Sequence, residues 1–242
     1  MRALGNGVNL VMAHAPRTAE WAWLDRVPYA KALRLQEQVR DQVADGRAGD
    51  TLLLLEHEPV ITLGRNANPA NVLASREHLR ESGVAVVRTS RGGDVTFHGP
   101  GQVMGYPVFR LQRGVRAHVK SMADGIVATL GSLDIAAEWR ESRPGVWVGA
   151  DKICALGVHV RRRVAMHGFA LNVNIDLAAF RTIVPCGLRD AGVTSIAKLL
   201  GSAPTLDTIA QSLSCAFEQS FGMRMVRISP SSSRLQIANE DL

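Results

Sequence analysis

The residues best suited to carry out chemistry are a cysteine in the turn Pro185-Cys186-Gly187 and a lysine, Lys152, in an apolar stretch. A cysteine between proline and glycine is expected on a turn, where it is more accessible than a cysteine in a core. A nucleophilic cysteine needs this access and a stabilised thiolate, which a nearby lysine ammonium supplies. The alternatives are a small buried Cys186 and a Lys152 whose ammonium is exposed at the edge of a hairpin.

A second candidate is the segment from Arg91 to Gln102, in which five of twelve residues are glycine or proline. This density predicts a backbone that adopts positive φ or approaches a ligand closely. Such a loop presents N–H groups to an anion or an oxyanion. It matches neither the P-loop pattern nor the dinucleotide-binding glycine pattern. We interpret it as a binding site rather than a plain turn, with His98 as either an acid/base or a structural hydrogen-bonding residue.

Other histidines and cysteines are weaker candidates. His167 and Asn172 are suited to hydrogen bonding across a pocket wall, and Gly168 between them leaves room for a ligand beside a strand. For His57, which follows a buried strand, a structural role is favoured. The remaining two cysteines, in a strand and in an amphipathic helix, are predicted to be small buried residues: Cys154 and Cys215.

The periodicity of apolar residues indicates the elements that position these groups. Helical spacing is seen over 28–45, over 119–130 and from Thr205 onwards, and Ser75 is placed to cap a short helix that ends at Gly83. Strands are predicted over 51–55, 60–63, 84–87, 146–148, 153–160 and 164–173. The tight turns between the later strands imply antiparallel pairing. We predict a single mixed α+β or α/β domain over 1–242, with loose segments at 1–15 and 229–242.

Composition excludes several classes of protein. The chain has 242 residues, 46% apolar and 21% charged, which excludes wholesale disorder. Three cysteines without a C-x-x-C pair argue against a disulfide scaffold and a Cys-rich zinc site, and suit a reducing compartment. The sequence contains no apolar run long enough to predict a transmembrane helix. It also shows no secretory signal that would predict export. We therefore expect the protein to be located in the cytoplasm, with an organelle matrix as the alternative.

The net charge of +6 calls for an explanation. Basic residues are scattered apart from the run Arg161–Arg163, and aromatic residues, at 5%, do not interleave with it. This argues against nucleic-acid binding. A solvated turn is the favoured interpretation of the basic run, and a docking patch is the alternative.

Taken in order, these segments resemble the lipoyl(octanoyl) transferases, and the resemblance covers about residues 20 to 225. The matching segments are 53–65 (LLLEHEPVITLGR), 91–102 (RGGDVTFHGPGQ), 152–157 (KICALG), 167–174 (HGFALNVN), 185–187 (PCG) and 192–195 (GVTS). The resemblance implies a biotin/lipoate ligase-type catalytic domain, with a mixed, largely antiparallel sheet flanked by helices. One departure is Phe97, where the family often has tyrosine.

The resemblance also implies an activity: transfer of an octanoyl or lipoyl group from acyl carrier protein to a lysine of a lipoyl domain. Acceptors would be 2-oxoacid dehydrogenase complexes and the glycine cleavage H protein. Cys186 would be the nucleophile, with Lys152 as its partner, without ATP, metal or other cofactor and in a monomer. The acyl pocket would be lined by Arg91, Gly92, Gly93, Asp94, Val95, Thr96, Phe97, His98, Ala155, Leu156, Gly157, Gly168, Phe169 and Ala170. The basic charge would then speed encounter with these acidic partner proteins.

Three rival interpretations remain. An ATP-dependent lipoate or biotin ligase would use the same fold, but it adenylates a free acid and needs no cysteine nucleophile, so Pro185-Cys186-Gly187 argues against it. A thioesterase would need a positioned water and a base. A non-catalytic basic binding protein would lack an acyl adduct, and the sequence contains no recognition-helix, zinc or aromatic-basic motif that favours one.

Overall fold

A large mixed sheet dominates the computed structural model, which describes residues 17–187 and 191–236. The predicted loose segment 1–15 lies outside the described residues. The strands are β1 Arg17–Arg26, β2 Asp50–Glu56, β3 Val60–Leu63, β4 Ala85–Arg88, β5 Val95–His98, β6 Gln102–Val108, β7 Glu138–Trp139, β8 Val146–Val148, β9 Asp151–Arg161, β10 Val164–Asn172, β11 Gly192–Val193 and β12 Met223–Arg227. The helices are α1 Tyr29–Ala44, α2 Arg76–Glu81, α3 Val115–Gly131, α4 Ile196–Leu200 and α5 Leu206–Phe221.

Local sequence explains where the helices begin and end. Ser75 accepts a hydrogen bond from the backbone N–H of His78 at the start of α2, and Thr205 accepts one from Thr208 at the start of α5. Gly222 ends α5 in the left-handed conformation, with φ at 62°. The predicted helices over 28–45 and from Thr205 are therefore confirmed, with their boundaries shifted by about one residue.

The strand order of the large sheet, over the described residues, is β12-β1-β2-β6-β10-β9-β8-β7, with β11 paired to β9. Strands β1, β2 and β12 run parallel to one another, as do β9 and β11, and the other pairs are antiparallel. The predicted hairpin is β9–β10, in which Arg162 and Arg163 turn the chain with positive φ. This confirms Arg161–Arg163 as a turn. A smaller sheet has the order β4-β3-β5.

Helices cover both faces of the large sheet because β2 is apolar on both. Leu52 and Leu54 pack with α3 and α5 in one core, whereas Leu53 and Leu55 pack with α1 in a second core. A third cluster joins the small sheet to α2 and to the segment that leads to Cys186, through Leu79, Phe180 and Ile183. Among the described residues, no helix is both long and apolar enough to span a membrane.

Two expectations are corrected. Cys215 is exposed, because it lies two residues after Leu213, so the helical turn of α5 directs it away from the buried face. The segment 229–242 was expected to be loose, but Leu235 within it is buried in the α1 core. Gln38 on α1 also donates a hydrogen bond to the carbonyl of Arg234. The rest of that segment, 237–242, lies outside the described residues.

Candidate active site

Two residues that are 34 positions apart in the chain meet beside strand β9 of the large sheet. Lys152 lies at the start of β9, and its ammonium Nζ is 3.2 Å from the Sγ atom of Cys186. Cys186 lies in a single 3₁₀ turn, Pro185–Gly187, and its own φ is 55°, in the left-handed region. A non-glycine residue in this region is conformationally costly, and such residues are concentrated at functional sites. The turn leaves Cys186 partly accessible.

Lys152 is buried, with 6% of its surface exposed, which contradicts the alternative of an exposed hairpin lysine. Besides the sulfur, Nζ donates a hydrogen bond to the carbonyl of Pro144 and lies 5.0 Å from the ring centre of Trp147. A carbonyl and an aromatic face both favour a cation. The arrangement therefore holds the lysine nitrogen in one place, within hydrogen-bonding distance of the sulfur.

Asp94 braces the cysteine turn from the glycine-rich loop. Its carboxylate accepts hydrogen bonds from the backbone of Asn68 and from the side chain of Asn71. A Cβ atom at Gly187 would lie 2.7 Å from an oxygen of Asp94, so only glycine fits there without displacement. The N–H of Gly187 donates a hydrogen bond to the carbonyl of Val184, which closes the turn.

A pocket leads from Cys186 between the small sheet and strands β6, β9 and β10, and it encloses about 50 Å³. Eleven of the fourteen residues predicted for the acyl pocket line it: Arg91, Gly93, Asp94, Thr96, His98, Ala155, Leu156, Gly157, Gly168, Phe169 and Ala170. Most of this wall is aliphatic, aromatic or glycine. The site therefore combines a partly accessible cysteine sulfur with a largely apolar pocket.

Three predicted pocket residues lie elsewhere. Gly92 donates its N–H to the carbonyl of Val158, so it ties the loop to β9. Val95 is fully buried in the small-sheet cluster. Phe97 is in the same cluster and packs edge-on against Phe180 at 5.8 Å. These residues shape the loop rather than the channel.

Four lining residues were absent from the predicted acyl pocket. They are Tyr29 at the start of α1, Met104 and Tyr106 on β6, and His167 on β10. No local pattern marks Tyr29 or Met104 as pocket residues, because Tyr29 reaches the pocket through the packing of α1 on the sheet and Met104 through the pairing of β6 with distant strands. Gly168 was expected to leave room for a ligand. A Cβ atom there would lie 2.1 Å from the carbonyl oxygen of Gly105, so the close approach of β6 also requires this glycine.

The buried histidines near the pocket are neutral hydrogen-bonding groups. Burial lowers the pKa of His57 to about 4 and that of His167 to about 3. His57 joins the carbonyl of Val27 to the hydroxyl of Tyr106, at 2.6 Å on each side. These geometries assign His57 the structural role that was favoured for it.

His98 belongs to a buried chain of hydrogen bonds. Arg91 donates to the hydroxyl of Thr62, which contacts one ring nitrogen of His98, while the other ring nitrogen contacts Gln102. Gln102 then donates to Asn172. Burial lowers the pKa of His98 well below its usual value. Both ring nitrogens are engaged, which favours the structural alternative for His98 over acid/base catalysis.

The comparisons with known proteins identify the family. The model of the lipoyl protein ligase A/B catalytic domain matches residues 28–218. An octanoyltransferase of Solibacter usitatus (strain Ellin6076) is 47% identical over 84% of this chain and 93% of that protein. The chain belongs to this family.

Solved structures agree on the fold. Lipoate-protein ligase A bound with ATP has a TM-score of 0.76 at 16% identity, over 90% of this chain and 91% of that chain. A bipartite lipoate protein ligase from Thermoplasma acidophilum has a TM-score of 0.73 at 14% identity, over 90% and 89%. At these identities the likeness concerns the fold alone. It confirms the predicted ligase-type domain with a mixed, largely antiparallel sheet.

Proposed function

We propose that this octanoyltransferase carries the octanoyl group on Cys186 as a thioester and delivers it to a lysine of a lipoyl domain. The observation that carries the proposal is the 3.2 Å contact between the Lys152 ammonium and the Cys186 sulfur at the mouth of an apolar pocket. Relatives named octanoyltransferase support the nature of the acyl group.

The first half-reaction forms the acyl-enzyme. The Cys186 thiolate attacks the carbonyl carbon of the donor thioester, so a new C–S bond forms as the bond to the carrier sulfur breaks. The Lys152 ammonium is positioned to give its proton to the departing carrier thiolate. The two thioesters are of similar energy, so the step needs no ATP.

The second half-reaction transfers the chain to an amine. The substrate lysine must be neutral to attack the Cys186 thioester, and the now neutral Lys152 amine is placed to accept its proton. A C–N bond forms and the C–S bond breaks, which regenerates the Cys186 thiolate and the Lys152 ammonium. The product is an amide, which is more stable than the thioester and makes the transfer irreversible.

The proposed donor is acyl carrier protein, and the proposed acceptors are lipoyl domains, including those of 2-oxoacid dehydrogenase complexes and the glycine cleavage H protein. The Thermoplasma ligase structure belongs to a lipoylation system with an E2 lipoyl domain, which supports this acceptor class. A free Cys186 suits a reducing compartment such as the cytoplasm.

The test is the intact mass of the protein after incubation with octanoyl-acyl carrier protein. We expect an octanoyl adduct on the wild type and on Cys154→Ala, none on Cys186→Ala, and its discharge by a lipoyl domain. An adduct that persists in Cys186→Ala would refute the assignment of the nucleophile. Transfer that requires ATP and free octanoate would instead support the ligase alternative.

A further inference from the structure

A second and larger concavity lies beside the active site. This groove, the α2 groove, encloses about 660 Å³ between α2 and the small sheet. Its apolar surface comes from Leu63 and Leu79, which are buried, and from Val84 and Val86. Val86 on strand β4 is 48% exposed, so apolar surface faces solvent here. Exposed apolar surface of this kind is typical of a site that binds a partner.

The rim of the α2 groove is basic. Arg76, Arg80 and Arg88 line it, all three are exposed, and its lining contains no acidic residue. Arg76 and Arg80 are four residues apart on α2, so their side chains lie on the same face of the helix. Among the described residues, none of the three forms an ion pair with an acid. The groove is complementary to an acidic surface with apolar side chains at its centre.

Backbone hydrogen bonds connect the α2 groove to the cysteine turn. The segment 71–73 runs beside the groove, and Leu73 donates its N–H to the carbonyl of Thr182 at 2.8 Å. Val184 donates its N–H to the carbonyl of Asn71 at 2.7 Å. Residue 184 is two positions before Cys186. One segment of the chain, 71–73, therefore joins the groove to the stretch that leads into the cysteine turn.

We propose that the α2 groove is the docking surface for the acidic carrier protein that brings the acyl thioester. This inference rests on the proposed function. Charge complementarity selects an acidic partner, and a groove with basic side chains one helical turn apart fits an amphipathic acidic helix. None of the groove residues lines the pocket beside Cys186, so the docked partner must reach the sulfur over a distance.

A partner that docks in the α2 groove must extend its reacting group to the Cys186 sulfur. This requirement distinguishes the carrier from the other acidic partner, the lipoyl domain. A carrier protein presents its thioester at the end of a long flexible prosthetic arm, so it can dock away from the sulfur. A lipoyl domain presents its amine on a lysine side chain, which is much shorter, and must approach the mouth of the pocket directly. The α2 groove, one peptide segment away from the cysteine turn, suits the carrier.

The experiment measures the rate of Cys186 acylation with two donors, octanoyl-acyl carrier protein and octanoyl-pantetheine, which lacks the carrier. The variants are Arg76→Glu, Arg80→Glu and the double variant. The matched control is Arg224→Glu, an exposed arginine on β12 at the opposite edge of the large sheet. We expect each single charge reversal to lower kcat/KM for the carrier donor about tenfold at low salt. The loss should shrink as salt is added.

With octanoyl-pantetheine, all variants should react at the wild-type rate, and transfer from octanoyl-enzyme to a lipoyl domain should also be unchanged. Equal losses with both donors, or an equal loss in Arg224→Glu, would overturn the docking site. Loss confined to the second half-reaction would assign the groove to the lipoyl domain and refute the proposal. If neither donor acylates the wild-type cysteine, the proposed function fails instead, so the two failures are distinguishable.

Discussion

Two cysteines in this molecule lie close to the same lysine in different ways. Cys154 is two residues after Lys152 in strand β9, and it is fully buried in the main core. Cys186 is 34 residues away along the chain, on a turn, with its sulfur 3.2 Å from the lysine nitrogen. Burial raises the pKa of the Cys154 thiol far above its usual range. Proximity in sequence therefore does not bring a cysteine sulfur to the lysine nitrogen and to the pocket, whereas the backbone placement of Cys186 does.

The difference lies in what surrounds each sulfur. Around Cys154 apolar side chains exclude water, so the thiolate would be unsolvated. At Cys186 the left-handed turn directs the sulfur between the ammonium of Lys152 and the pocket. The turn is held in this strained conformation by Asp94 and by the hydrogen bonds of segment 71–73.

The largest effect we expect is the difference in alkylation of the native protein. Cys186 should react with iodoacetamide at least about a thousandfold faster than Cys154, which is reached only when the chain unfolds. Peptide mass mapping over time would measure both rates, with the exposed Cys215 as a reference. In denaturant all three cysteines should react alike. Comparable native rates at 154 and 186 would contradict the comparison.

Removing the charge of Lys152 should have the next largest effect. Lys152→Met retains the length of the side chain but neither favours the thiolate nor moves a proton, so acylation of Cys186 should fall about a hundredfold or more. Its thermal stability should not fall, because a buried charge is removed.

The control is Lys198→Met, since this lysine is exposed and pairs only loosely with Asp151, at 3.7 Å. It should acylate as the wild type does. If Lys152→Met were equally active, the ammonium would have no role in the reaction.

A smaller effect should follow from crowding the cysteine turn. Gly187→Ala would place a Cβ atom 2.7 Å from the Asp94 carboxylate at a position where φ is 69°, so we expect acylation to slow about tenfold as the turn shifts. Gly201→Ala is the matched control, because its φ of 78° carries the same backbone cost with no atom within 4 Å. Equal activity in both variants would show that the brace does not position the sulfur.

The helices and the local strands were accessible to sequence reasoning because their signals are local. The apolar period predicts α1, and the apolar run Val60–Leu63 predicts β3, without reference to any distant residue. Both elements were predicted to within about one residue of their observed bounds. Strand β5 lies within the glycine-rich segment and β6 begins at its last residue, so neither strand was predicted from the sequence. They become strands because β3, β2 and β10 supply their hydrogen-bonding partners. Such partners are distant in sequence.

The same limit applies to the site. Cys186 and Lys152 were candidates by residue type and context, but no pattern in the chain brings them together; only the family resemblance predicted their meeting. Tyr29 reaches the pocket from the start of α1. Its hydroxyl donates a hydrogen bond to the hydroxyl of Thr89 at 3.0 Å. Contacts of this kind depend on how the helix packs on the sheet, which periodicity does not encode.

The smallest effect concerns Cys154 and pH. In the unfolded chain its thiol ionises above about pH 8.5, whereas in the folded chain burial keeps it protonated. The folded state then binds more protons than the unfolded state as pH rises, so this group removes stability in alkaline solution. Urea unfolding should show Cys154→Ala less stable than the wild type by about 1–2 kcal/mol at pH 7, from lost packing. At pH 10 the wild type should have lost about 2 kcal/mol that the variant has not, so the gap should vanish or reverse. The control is Cys215→Ala, since this cysteine is exposed, and its free energy of unfolding should match that of the wild type at both pH values. A stability difference for Cys154→Ala that is the same at both pH values would mean that the Cys154 thiol titrates normally in the folded protein.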